Sequence, residues 1–386
     1  MKVLYLAHSG AIQGSGKALL NIVQGMVSQG VEVIAVLPER GVLYDLFVRS
    51  GVKCYTHLFY NEIFPRCDRL SDIVLYLPRL VRTLVSNKTA ESELRNIIRR
   101  ESPDIIHTNT GVIRFGSRVA ERFHIPHVWH IREFQAKEYG FRPFGGKKAL
   151  ENAFSGKNNH CVAITKSLFD YFDLKEPKDQ VIYDGVFSRN AVSPVKCRWK
   201  EKYFLFVGAL ERGKGIYDVL DAFDNIYQVY PDFELWLAGK DYINIAKEIG
   251  RRPSRVKIKY LGFRADVFEL MSGAAALLVT SLNEGFGFIT TEAMLNRCLV
   301  IGRNNTGTKE QFDNGVVETG EEIGLRFDST EELTERMKCV CESAPVLFNE
   351  MKDRAFSVVV KLYSTQTNTE SLVDLYNRII RVDYEK

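Results

Sequence analysis

Residues 2–37 read KVLYLAHSGAIQGSGKALLNIVQGMVSQGVEVIAVL, and the order of patterns in this stretch decides the fold class. Residues 2–7 form a short apolar run of strand type, and residues 8–16 are rich in Gly and Ser. Across residues 17–28, Leu19, Ile22, Val23, Met26 and Val27 recur at helical spacing, and Gly30 stops the pattern. Residues 31–37 are a second β-rich run. Strand, helix and strand in that order imply a parallel pair joined by a right-handed crossover.

The same unit recurs outward along the chain. Strand patterns follow at 52–58, 104–108, 127–130, 161–164 and 180–183, with helical stretches at 75–100 and 114–123. A second series opens at 203–207, continues through a glycine-containing loop at 208–215 and a helix at 217–230, and adds strands at 234–238, 256–261, 276–280 and 299–301. Residues 187–200 lack periodicity and read as the linker. The expected fold is therefore α/β, with two Rossmann-like domains of comparable size. A length of 386 residues accommodates two such domains.

Composition narrows the class. Apolar residues make up 45% and charged residues 26%, as in ordinary globular proteins. The net charge of +4 is unevenly spread: residues 1–150 hold 21 Lys and Arg against 13 Asp and Glu, leaving 31 against 35 for the rest. The first domain is thus expected to face something anionic. No nucleic-acid module is recognisable, which argues against nucleic acid as the partner. Cys54, Cys67, Cys161, Cys197, Cys298, Cys339 and Cys341 are odd in number and scattered, the pattern of reduced thiols. No run of eighteen apolar residues is present, and the opening apolar run is too short for a signal peptide. A cytoplasmic protein, with contact to the inner face of the cell membrane as an extension, is the expectation.

The segment Gly14-Ser15-Gly16-Lys17 is not a P-loop: the first glycine that motif requires is replaced by Ala11, and Ala18 stands where Ser or Thr would hold magnesium. Nor do Gly10, Gly14 and Gly16 fall in the dinucleotide order. What remains is a glycine loop opening a helix, suited either to an anion or to a plain tight turn. A sharper feature is Asn283-Glu284-Gly285-Phe286-Gly287-Phe288-Ile289-Thr290-Thr291-Glu292-Ala293-Met294, at the carboxyl end of the strand 276–280. Open α/β sheets bind ligands at that end. Gly285 and Gly287 allow close backbone approach, a helix starting near Phe288 offers its N-terminus to a phosphate, and Glu284 and Glu292 bring two carboxylates to one elongated ligand.

This segment, with Ser281 before it, resembles the signature of family-4 retaining glycosyltransferases of GT-B fold. Further motifs resemble that family in order: 104–109 (DIIHTN), 126–130 (PHVWH), 181–186 (VIYDGV), 206–215 (FVGALERGKG), 237–239 (LAG), 260–263 (YLGF), and the last helix with Leu372 and Tyr376. The resemblance implies two domains facing across a cleft, 1–190 on the acceptor side and 191–364 on the donor side, with a terminal helix of about 365–386 crossing back to the first. It implies a metal-independent enzyme moving a hexose from a UDP- or GDP-linked sugar to a saccharide or lipid-linked acceptor. No resident cofactor or metal is expected.

Residue by residue, the resemblance implies that Lys214 holds the donor diphosphate, with Gly208 and Arg212 in the same loop and the backbone of Gly287, Phe288 and Ile289 completing the cradle. Glu292 would bind the ribose and Glu284 the donor sugar, while Phe263 and Arg264 border the base. Gly14 and Gly16 would approach the diphosphate from the first domain, and His130 would lie near the bond that breaks. Two departures stand out. The family's usual Arg is Ala209 here, so Arg212 or Arg303 must supply the cation, and Asp184 stands where the family usually carries Asn. Ala209 keeps open a nucleotide-sugar-binding subunit without activity, and a similar two-domain fold serves nucleotide-sugar epimerases. Front-face attack by the acceptor is favoured, because no carboxylate is evidently placed as a nucleophile and the sequence holds no Asp-x-Asp.

Of the clustered histidines, His127 and His130 are three apart on a strand, hence on opposite faces, which argues against a metal site. His107, His124 and His127 are read as structural. In the basic stretch from Arg79 to Arg100, Leu80, Val81, Leu84, Val85, Leu94, Ile97 and Ile98 are expected mostly to build core, and docking on anionic lipid is the alternative.

Overall fold

Both series of strand patterns become parallel sheets in the computed structural model, which describes residues 1–12, 14–65, 70–188 and 202–384. The chain divides into two compact units, Met1–Ser188 with Thr365–Lys386, and Arg189–Ser364. Beyond Ser188, the expected linker falls outside the described residues, as do Cys67 and Cys197.

The first unit holds seven strands: β1 (Lys2–Leu6), β2 (Glu32–Leu37), β3 (Lys53–Thr56), β4 (Ile105–Thr108), β5 (His127–Ile131), β6 (Asn159–Ala163) and β7 (Gln180–Val181). Their order is β3-β2-β1-β4-β5-β6-β7, every pair parallel. The central strands are buried on both faces, which explains their nearly continuous apolar character. Alternation along β1 separates two cores. Val3 and Tyr5 pack with Leu19, Ile22 and Met26 and with Leu372, Leu375, Tyr376 and Ile379 of the terminal helix Thr365–Tyr384. Leu4 and Leu6 pack instead with Leu94, Ile97 and Ile98 and with Phe115 and Val119.

The second unit holds β8 (Tyr203–Val207), β9 (Glu234–Ala238), β10 (Ile258–Gly262), β11 (Ala276–Val279), β12 (Val300–Arg303) and β13 (Leu325–Phe327), in the order β10-β9-β8-β11-β12-β13. Three details differ from the sequence reading. The strand expected from 256 starts at Ile258, because Arg255–Lys257 form a 3-10 turn. The helix expected over 217–230 spans Ile216–Asp224. The edge strand β13 has three residues, too few to show alternation. Cys54, Cys161, Cys298, Cys339 and Cys341 are free thiols.

The strand orders matter for function. In each sheet the chain starts centrally, builds outward on one side and then returns to build the other. The reversal lies between β1 and β4 in the first unit and between β8 and β11 in the second. Loops leaving adjacent strands at such a point diverge, opening a crevice at their carboxyl ends.

One expectation about the core needs correction. In the helix Tyr76–Glu101, Leu94, Ile97 and Ile98 are buried, but Val81, Leu84 and Val85, together with Leu77, are 53–67% exposed. The apolar stripe continues past the point where the sheet covers it.

Candidate active site

In the second unit, the loops leaving β8 and β11 at the switch point are bound to each other. Thr280, directly after β11, donates its hydroxyl to the carbonyls of Lys214 and Gly215 at 2.8 and 3.0 Å, and Leu282 N–H donates to Gly213 at 3.0 Å. Gly215 has φ +72°, and a Cβ there would lie 2.1 Å from the Thr280 carbonyl oxygen, so only glycine lets the loops meet. Across this junction Lys214 Nζ lies 3.0 Å from Glu284 Oε2, in a partly buried ion pair. The two residues singled out on separate motifs are thus brought together.

Glu284 is held from below as well. Its N–H donates to Thr306 Oγ1 and its carbonyl accepts from Gly307 N–H, both at 3.0 Å. Gly287, with φ +92°, turns the chain into the helix Phe288–Leu295, whose first-turn N–H groups have no acceptor within the helix. Gln311 fixes this turn by donating Nε2 to the carbonyls of Phe286 and Gly287 at 2.6 and 3.3 Å. Two buried polar atoms at the turn, Thr290 Oγ1 and Gln311 Oε1, have no hydrogen-bond partner. Glu292 is buried in the same helix, one turn on. The result is a cation, a helix N-terminus and two carboxylates around one crevice mouth, a set able to hold a diphosphate and two groups of hydroxyls.

The remaining donor-side candidates divide. Gly208 leaves β8 and Arg212 follows in the same loop, its guanidinium 5.1 Å from the Tyr217 ring centre. Arg303, the other candidate for the cation missing at Ala209, is committed to Asp218 at 2.5 Å and to the Thr280 carbonyl at 3.2 Å. Phe263 follows β10 and is 76% exposed, while Arg264 is paired with Asp266.

In the first unit, Gly14 precedes the helix Ser15–Ser28 and Gly16 is buried within its first turn. At the carboxyl ends of β4 and β5 the structure assembles a buried polar cluster. Arg132 Nη1 donates to both oxygens of Asp184 at 2.5 and 2.6 Å, and Arg132 Nε donates to Asn109 Oδ1 at 2.9 Å. Arg132 Nη2 lies 3.3 Å from His130 Nδ1, and His107 Nε2 lies 3.2 Å from the same atom. His107 Nδ1 meets Tyr376 Oη at 2.6 Å, and Tyr376 Oη meets Tyr5 Oη at 2.9 Å. His130 Nε2 has no hydrogen-bond partner. The Asp at 184, a departure from the resembled family, is explained by the buried guanidinium it neutralises. Sequence reading missed Arg132 altogether and set His107 aside as structural.

Burial holds the rings of His107 and His130 neutral well below the usual imidazole range and pushes His127 down to about 3. An unfolded chain protonates them near the ordinary value of about 6.5, so falling pH favours the unfolded state. The contribution of each ring is complete above about pH 6.5 and is lost on acidification, by about 1 kcal/mol per ring at pH 5.5. Calorimetry is expected to show the melting of the first unit shifting downward between pH 7.5 and 5.5. A transition that stays in place would contradict burial of neutral histidines.

Comparison with known proteins agrees with this geometry. Residues 193–354 match the family described as glycosyl transferases group 1. The chain is 21% identical to N-acetyl-alpha-D-glucosaminyl L-malate synthase of Bacillus anthracis, over 92% of this chain and 94% of that protein. It is 25% identical to alpha-monoglucosyldiacylglycerol synthase of Acholeplasma laidlawii, over 73% of this chain and 76% of that one. Among solved structures, Anabaena Alr3699/HepE in complex with UDP-glucose is similar with a TM-score of 0.74 and 19% identity, over 98% of this chain and 100% of that chain. At that identity the likeness is one of fold.

Proposed function

We propose, from the premise that the second unit carries a group 1 glycosyltransferase domain, that this chain is a retaining, metal-independent hexosyltransferase. The donor is a UDP- or GDP-linked sugar, and the acceptor is a hydroxyl of a saccharide or lipid-linked saccharide in polysaccharide or glycolipid synthesis. The observation that carries this reading is the junction of Lys214, Glu284 and the helix Phe288–Leu295 at the β8/β11 switch point.

Glycosyl transfer breaks the bond between the anomeric carbon and the diphosphate oxygen and forms one to the acceptor oxygen. Negative charge grows on the leaving diphosphate and must be met by fixed positive charge or dipoles. Lys214 and the first-turn amides at Phe288 and Ile289 supply both, with Arg212 as the second cation because Arg303 is committed to Asp218. An ammonium has three donors, so Lys214 can serve Glu284 and a phosphate oxygen together. Glu292 takes the ribose hydroxyls and Glu284 the sugar hydroxyls. The acceptor attacks on the face the diphosphate leaves, and its proton passes to the departing phosphate oxygen. His130 contacts the substrate on the first unit.

The exposed stripe of Leu77, Val81, Leu84 and Val85 lies beside Arg82 and Lys88, and the segment 73–90 holds no acidic residue. This pairing suits an anionic lipid surface, and it would bring the enzyme to a lipid-linked acceptor. Cosedimentation with phosphatidylglycerol-containing vesicles is expected for the native chain and is expected to be lost on replacing Leu77, Val81 and Leu84 by Ser. Equal sedimentation of the variant would remove the membrane from the account.

The donor reading is tested by incubating the protein with a panel of nucleotide sugars and following release of the nucleoside diphosphate. Glu292→Ala is expected to weaken donor binding at least tenfold, since it removes a carboxylate that accepts hydroxyl hydrogen bonds. Unaltered donor affinity would displace Glu292 from the site.

A further inference from the structure

The buried cluster on the first sheet contains a chain of three groups, Tyr376, His107 and His130, that can be wired in two directions. In one, the tyrosine donates to His107 Nδ1, His107 Nε2 donates to His130 Nδ1, and His130 carries its proton on Nε2. In the other every proton is reversed: His130 Nδ1 donates to His107, His107 Nδ1 donates to the tyrosine, and His130 Nε2 is a bare lone pair. Tyr5 can complete either direction, because its hydroxyl both donates and accepts. The distances of 2.6, 3.2 and 2.9 Å satisfy both.

We infer that Arg132 selects the first direction and thereby makes His130 Nε2 a standing hydrogen-bond donor toward a substrate oxygen, not a base. A guanidinium can only donate. Arg132 Nη2 lies 3.3 Å from His130 Nδ1, so a proton on that nitrogen would meet a second N–H head-on. His130 Nδ1 is therefore an acceptor, and the ring's proton sits on Nε2. That atom is buried and without a hydrogen-bond partner, although nearly all buried polar groups in folded proteins have one. Arg132 itself is fixed by Asp184 and Asn109 and cannot turn away without stranding both. Arg132, His107 and Tyr376 are positioning residues, and of these only Arg132 breaks the symmetry.

The inference rests on the transferase reading in one respect: the oxygen that receives the bond belongs to that reaction's substrate. It also explains why the acceptor's proton goes to the phosphate, since the nearest imidazole has no lone pair to offer. The charged and titratable groups around the two rings are Arg132 and Asp184 after β5 and β7, His127 on β5, Tyr5 on β1 and Tyr376 on the terminal helix. Asp184 Oδ1 stands 3.9 Å from His130 Nε2 but is already bound twice by Arg132. Burial and the guanidinium both keep the rings from taking a second proton.

The test is a long-range proton–nitrogen correlation spectrum of the full chain carrying ring-labelled histidine, assigned with the His107→Gln and His130→Gln variants. Both rings are expected to give the Nε2–H pattern, unchanged between about pH 5.5 and 8. An Nδ1–H pattern for His130, or its titration in that window, would overturn the inference. In the charge-balanced Arg132→Met/Asp184→Asn variant both directions become available, and His130 is expected to show mixed tautomers. A pure Nε2–H pattern there would take the selecting role from Arg132. In turnover, His130→Gln keeps an N–H near the position of Nε2 and is expected to stay within about tenfold of the native rate, whereas His130→Leu loses about 100-fold or more. Equal losses in the two would overturn the donor role. If no nucleotide sugar is bound or turned over, the transferase reading fails while the spectrum still decides the tautomer.

Discussion

Replacing Lys214 with alanine is expected to lower turnover of the nucleotide-sugar donor by about 10²–10³-fold, the usual cost of removing one group that meets charge developing in the transition state. Lys214 lies at the one place where the β8 and β11 loops are tied together, and its ammonium is held by Glu284 at 3.0 Å. The loss is expected mainly in kcat, because the diphosphate gains negative charge as the bond breaks. Lys214→Arg keeps the charge and is expected to recover part of the rate. The pair is only partly buried, so the melting temperature is expected to change little. Steady-state kinetics with the preferred donor checks this, and a loss below threefold would remove Lys214 from the chemistry.

The largest effect on stability is expected at Arg132. Its guanidinium and the Asp184 carboxylate are both buried in the first unit and joined by two hydrogen bonds from one nitrogen. Arg132→Ala leaves Asp184 as an uncompensated buried carboxylate, which costs about 3–5 kcal/mol in comparable cases. Removing both charges, as in Arg132→Met/Asp184→Asn, is expected to recover most of that, since neither desolvated ion then lacks a partner. Urea denaturation of the three proteins makes the comparison. A single variant as stable as the native chain would show that Asp184 is not held in the charged form.

The distribution of what was legible follows from what each pattern encodes. Apolar periodicity marks buried surface, so β1, β2, β8, β9 and β11 could be read directly, whereas the three-residue β13 could not. The helix Tyr76–Glu101 shows the converse limit: spacing identifies an apolar stripe but not how far the sheet extends beneath it. Lys214, Glu284 and Glu292 stood in recognisable motifs, but Thr280, Thr306 and Gln311, which hold those loops, are ordinary polar residues whose partners are remote in sequence. The histidine pair is the clearest case. Alternation correctly put His127 and His130 on opposite faces, and His127 indeed turns away to Thr108 Oγ1. The partnership of His107 with His130 depends instead on the register that sets His107 opposite Val128, and a single strand does not encode its neighbour's register. Arg132 carried no motif at all. Its importance follows from a carboxylate 52 positions later that becomes its neighbour only in the folded sheet.

The central claim is that the crevice at the β8/β11 switch point holds the diphosphate of a nucleotide sugar. Calorimetric titration of the native chain, Lys214→Ala and Glu292→Ala with UDP and GDP tests it most directly. The account predicts that the native chain binds at least one of the two, and that each substitution weakens that binding by at least tenfold. Absence of binding to both nucleotides, or binding that neither substitution changes, would contradict it.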